Sequence, residues 1–122
     1  MALKETLRKV NYGGGLEFLK DREKGDFEKL IGQEVTIDEI AFVTSRFYDE
    51  TENVLFTVVG DEKHYYRTGS AVVVQNLKDV QEALDEEGLD WDILSITFAK
   101  VRSKNGRIYY AVNARDAREE AV

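Results

Sequence analysis

Tyr65-Tyr66-Arg67-Thr68-Gly69-Ser70-Ala71-Val72-Val73-Val74 is the stretch at which the hydrophobic period of this chain changes. Up to Thr68 the pattern is aromatic and β-type. After Ser70 it becomes helical. Ser70 can cap a helix, because its hydroxyl accepts one of the orphan N–H groups of a first turn. Val73, Leu77, Val80 and Leu84 then recur at i, i+4, i+7 and i+11, one apolar stripe on one helix face. Gly88 suits the left-handed residue that ends a helix, with Leu89 as the apolar contact accompanying such a stop. The spacing predicts a helix over 71–86.

Upstream, Asp26 can cap a short helix over 27–31 that Gly32 stops. Val35, Ile37, Ile40, Phe42, Val43, Phe47 and Tyr48 make a β-branched and aromatic run, predicting one long strand over 34–48. Its apolar phase slips at Asp38-Glu39, which predicts a bulge or bend. Val54 to Val59 is nearly all apolar, so this second strand is expected to be central or buried on both faces. A turn at Gly60-Asp61-Glu62 leads to a third strand, His64 to Thr68. Beyond the helix, Ile93 to Arg102 reads as a fourth strand and Ile108 to Asn113 as a fifth. Asn105-Gly106 lies between them, and such a pair predicts a type I′ turn with two positive φ angles.

Three strands, a helix and a closing hairpin describe a mainly β fold, a five-stranded barrel of the OB type, with a short helical N-terminal lead-in. The long first strand fits, since it must pair on both sides of such a barrel. An open α+β sheet with the helix across one face is the alternative. Residues 1–25 read as a partly mobile lead-in, with Leu3, Leu7 and Val10 on one helical face and a flexible Gly13-Gly14-Gly15. Residues 26–115 form the domain, and 116–122 a short acidic tail.

The 122 residues are 43% hydrophobic, enough for one folded domain. No run approaches the roughly 20 apolar residues of a membrane helix, and the start lacks the apolar core of a signal peptide. A cytoplasmic protein without membrane contact is expected. There is no Cys and only one His, His64. No disulfide, thiolate or multi-histidine metal chemistry is therefore expected, no catalytic motif is present, and no cofactor is implied.

Net charge is −7, which on average argues against nucleic acid. The average hides a partition. Residues 79–92 carry seven acids and no base, and residues 93–115 carry five bases and no acid. A solvated acidic helix and chance clustering would account for this. So would a protein that repels nucleic acid except at one basic surface.

Single-strand binding needs cations for phosphates and aromatic faces for bases. By period 2, Arg46 and Tyr48 share one face of the first strand, and Tyr65 and Arg67 one face of the third. Lys100, Arg102, Lys104 and Arg107 surround the closing hairpin, and Tyr109 is expected to point outward with Ala111 and Asn113. These nine are the candidate binding residues. Hairpin cations also protect a sheet edge from aggregation. Phe42, Phe56, Phe98 and Tyr110 read as core, as does Tyr66 rather than Tyr65. Trp91 is expected to pack beneath the helix end.

The segments Phe47-Tyr48-Asp49-Glu50, Phe56-Thr57-Val58-Val59-Gly60, Tyr65-Tyr66-Arg67-Thr68-Gly69-Ser70 and Lys100 to Tyr110 resemble small OB-fold single-stranded-DNA-binding proteins of bacteriophages. The resemblance covers about residues 26–113 and rests on element order. It implies a non-catalytic protein that coats single-stranded DNA in replication or recombination, in the host cytoplasm if of phage origin. It also implies replication or recombination proteins as further partners. Edge strands leave a homo-oligomer open. The alternative is a protein-interaction module, a phage accessory, inhibitor or virion protein that docks through the acidic helix face (Asp79, Glu82, Glu86).

Overall fold

The strand β4 (Glu52–Val58) lies between β3 (Ile37–Thr44) and β5 (His64–Thr68), antiparallel to both. In this computed structural model, which describes residues 18–44 and 52–118, β4 is buried along most of its length on both faces. Val54 and Phe56 enter the core, while Asn53, Leu55 and Thr57 are buried on the other side. That is why the sequence of β4 shows no polar alternation.

The described residues contain seven strands in two sheets. One sheet has the order β1-β5-β4-β3, where β1 (Glu23–Lys24) runs parallel to β5. The other has the order β2-β6-β7, with β2 (Glu34–Val35), β6 (Leu94–Arg102) and β7 (Ile108–Asp116) all antiparallel. The predicted strand over 34–48 is split at Thr36: β2 pairs with β6, and β3 with β4. One segment thus joins both sheets. No pairing between β5 and β7 closes a barrel among the described residues; β1 occupies that edge of β5.

The predicted bulge is present. The register of β3 on β4 shifts between Ile37 and Ile40. The extra residue lets both isoleucines face the core, and Thr57 Oγ1 accepts from the displaced Glu39 N–H at 3.1 Å.

The helix α1 spans Ala71–Glu87 and packs across β4 and β7. Ser70 caps it by accepting from the Val73 N–H, and Gly88 ends it at φ +67°. Val73, Val74, Leu77 and Leu84 are buried. Trp91 is buried at the helix end and donates its indole N–H to Gln81 at 2.7 Å. No helix among the described residues is long and apolar enough to cross a membrane.

Two expectations are corrected, and one strand is additional to those expected. Glu23–Lys24, within the segment read as a lead-in, pairs as a strand; two residues carry no periodic signal. Gly25 continues that contact: its N–H donates to the Tyr65 carbonyl at 2.7 Å, and a Cβ there would stand 2.5 Å from the Tyr66 ring. The last strand runs to Asp116, three residues further than its apolar phase, because backbone pairing with β6 continues to Leu94. The hairpin turn is not type I′. Gly106 has φ +80°, but Asp21 is the only non-glycine residue with positive φ among those described. The loop is the three-residue kind, Lys104 to Gly106, in which a tight turn is followed by one left-handed glycine.

The core is one cluster in which Phe27, Phe56, Tyr66 and Phe98 meet, Phe27 coming from a 3₁₀ turn (Phe27–Leu30) capped by Asp26. Phe56→Ala empties its centre and should cost about 3–5 kcal/mol, read as a shift in the urea midpoint with unchanged m value.

Candidate nucleic-acid interface

The hairpin register decides which side chains share a face. The three-residue loop pairs Lys100 with Tyr110, Val101 with Tyr109 and Arg102 with Ile108. The Ser103 and Arg107 backbones close the loop at 2.8 Å. A two-residue Asn-Gly turn would have shifted the pairing by one, setting Arg102 opposite Tyr109 and reversing the face of every β7 side chain relative to β6.

As it stands, one face carries two cations with an apolar group across from each: Lys100 by Tyr110, and Arg102 by Ile108, which is 59% exposed. The opposite face carries Tyr109, 42% exposed, above Val101, with Ala99 and Ala111 next along the strands. Tyr109 does point outward with Ala111 and Asn113. It is nevertheless on the other side of the hairpin from Lys100 and Arg102. Arg102, Lys104 and Arg107 are exposed and have no ion pair among the described residues.

Lys100 is not free. Its ammonium lies 2.7 Å from a carboxylate oxygen of Glu28, and the Tyr110 hydroxyl donates to the other oxygen. These contacts hold Glu28 below the ordinary carboxylate range, Lys100 first and Tyr110 second. The same bonds to Glu28 hold Lys100 and Tyr110 above their ordinary values. At neutral pH the trio is a carboxylate, an ammonium and a neutral phenol. Tyr110 therefore has two environments: its ring meets Phe27 edge-on at 5.4 Å, and its hydroxyl reaches the surface.

Tyr65 and Arg67 lie on the other sheet, with Tyr65 half-buried and Arg67 exposed. Arg67 stands across from Leu55, and its Nε donates to Asn53 at 3.4 Å. Tyr66 points into the core. Arg46 and Tyr48 lie outside the described residues, as do the Leu3-Leu7-Val10 stripe and the three glycines. The structure thus gathers five of the nine candidates on one hairpin, divided between its faces, and leaves two on β5. Glu28, Ile108 and Tyr110 were not among the candidates. Loop length alone, by fixing the register, would have paired Lys100 with Tyr110; nothing in the sequence ties Glu28 to them from 72 residues away.

A second polar cluster sits at the turn between β4 and β5, beside a shallow groove of about 460 Å³ lined in part by Leu30, Val35, Val58 and Tyr66. Asp61 accepts from the backbone N–H of Lys63 at 3.0 Å, from the Tyr66 hydroxyl at 3.0 Å and from His64. Arg22 donates to the Asp61 and His64 carbonyls. These bonds brace the turn. Burial alone would raise the Asp61 carboxyl, but the bonds from Lys63, Tyr66 and His64 outweigh it and leave it lowered.

Comparison with protein-family models, with curated proteins and with solved structures gave no match.

A carboxyl lowered by folding stabilises the fold above its unfolded value, and that contribution is lost as pH falls through the folded one. Asp61→Asn should therefore lower Tm at pH 7. Its Tm curve should converge on that of the wild type as pH drops below the ordinary aspartate value of 3.8. Parallel curves in a thermal melt series would contradict this.

Proposed function

We propose that this protein binds single-stranded nucleic acid, DNA foremost, at the tip of its β6–β7 hairpin, without catalysis. The observation that carries the reading is the set Arg102, Lys104 and Arg107. These are three exposed cations without ion pairs among the described residues, on a chain whose net charge is −7. Unspent positive charge on an acidic protein is the footprint of an anionic partner.

The strand order supports an OB-type architecture for the same reading. One segment pairs into both sheets, two antiparallel strands follow, then a helix, then a hairpin. OB domains bind oligonucleotides across their second and third strands and in the loop between the last two. Arg102 to Arg107 form that loop here, and Tyr65 and Arg67 lie on the outward face of the third strand in that order. Tyr109 supplies an exposed aromatic face on which a base can stack, and Ile108, next to it in the strand, an exposed apolar contact. Coating exposed strands in replication or recombination is a role that needs no more than this.

A protein-interaction module is the second reading. It draws on α1, whose last turn carries Asp85, Glu86 and Glu87 with no base. Acids at that end oppose the helix dipole and cost stability.

Fluorescence anisotropy of labelled oligo-dT, against a duplex of equal length, tests the first reading. Three to five phosphate contacts at about 0.7 each would give a slope of log K on log salt of about −2 to −3.5. The double variant Arg102→Ala/Arg107→Ala should flatten it by about 1.4. No binding at low salt removes the reading and directs attention to partners sensitive to charge reversal at Glu82 and Glu86.

A further inference from the structure

Lys100 and Tyr110 converge on the two oxygens of one anion, the Glu28 carboxylate. We infer that Lys100 and Tyr110 form a phosphodiester site that Glu28 fills when no strand is bound. The inference rests on the nucleic-acid reading above and names the residues at which a bound strand would continue beyond the hairpin tip.

The donor set is the first support. An ammonium and a hydroxyl that share one carboxylate can equally share the two non-bridging oxygens of a phosphate, and such groups dominate backbone contacts to nucleic acid. The second support is continuity. Lys100 and Arg102 lie two residues apart on one strand face, about 7 Å along it, on the scale of one nucleotide step. A strand held at Arg102, Lys104 and Arg107 and running along this face meets Lys100 next. Ile108, directly across from Arg102 and 59% exposed, gives its bases apolar ground.

Exposure is the third support. The Lys100 and Glu28 side chains are 43% and 44% exposed, so the pair is open to solvent and to exchange. Exposed ion pairs contribute little to stability, so replacing one anion by another there disturbs the fold little. The low proton affinity of Glu28 keeps it charged throughout the neutral range. It therefore competes as an anion and is displaced, not neutralised. A lone phosphate has to outcompete a tethered carboxylate. A phosphate tethered through its neighbours at Arg102 has a comparable effective concentration. Glu28 would thus favour polyphosphate strands over single small anions.

The test is anisotropy with oligo-dT on four proteins: wild type, Glu28→Gln, Lys100→Gln and the double variant, each checked for folding by its melt. Glu28→Gln should bind several-fold tighter at low salt. In the Glu28→Gln background, Lys100→Gln should remove that gain and flatten the salt slope by about 0.7, one contact. If Glu28→Gln leaves affinity unchanged while Arg102→Ala/Arg107→Ala weakens it, Glu28 is only a structural tie: the inference fails and the nucleic-acid reading stands. If neither wild type nor Glu28→Gln binds, both fall. Should Glu28→Gln not fold, NMR of the wild-type protein decides. Oligo-dT must shift the Lys100 ammonium and Tyr110 ring signals, and unshifted signals at saturation overturn the inference.

Discussion

Phe27 touches aromatic rings from both sheets, and the candidate interface depends on that contact. Its ring lies 6.4 Å from Phe56 of β4, 4.9 Å from Phe98 of β6 and 5.4 Å from Tyr110 of β7. The chain crosses between the sheets directly at Thr36 and by longer connections through residues 25–33 and through α1, so packing has to set their separation. Phe56 stacks on Phe98 at 5.5 Å to complete the bridge. Phe27 sits on a 3₁₀ turn that also carries Glu28, and β1 and Gly25 tie the segment before it to β5. Burying Phe27 thereby delivers Glu28 to Lys100. The core and the charge pattern of the surface are set by the same four-residue turn.

Much of this was legible in the sequence, and the rest was not, for reasons that can be named. The helix was legible because Ser70, Gly88 and a single apolar stripe agree on its ends and its face. The bulge was legible because the apolar phase must slip where an extra residue enters. Burial of β4 on both faces was legible because its run lacks polar alternation. β1 was not: a two-residue strand has no period, and its pairing with β5 is parallel and remote in sequence. Nor was the hairpin turn. Asn-Gly fits a two-residue turn and the end of a three-residue one equally well. The choice between them is made by the cross-strand packing of Phe98 on Val112 and Lys100 on Tyr110, which is tertiary information.

The turn type had consequences out of proportion to its size. One residue of loop length decides whether Tyr109 or Tyr110 accompanies the hairpin cations, because side chains alternate with period 2. Tyr109 is exposed with the three-residue loop that forms. Its expected grouping with Lys100 and Arg102 does not hold. Tyr110 carries an apolar ring that the core accepts and a hydroxyl that the core cannot satisfy. Its position at the margin, ring inward and hydroxyl to Glu28, satisfies both. A residue read as core from its phase is for that reason the one whose polar end reaches the surface beside the cations.

The distribution of charge adds a constraint of its own. Screening confines repulsion between exposed charges to about 8 Å at physiological salt, so a surface can be hostile to a polyanion in most places and hospitable in one. The acids of α1 face solvent, and β7 rather than open water lies on its other side. Along β6 the cations begin only at Lys100, where the strand has passed the last core residue, Phe98. Lys100 is met at once by Glu28, whereas Arg102 and the two cations of the loop are not. The boundary between paired and unpaired positive charge therefore falls within two residues of one strand. A bound strand would feel that boundary as the point where its phosphates stop replacing water and start replacing a carboxylate.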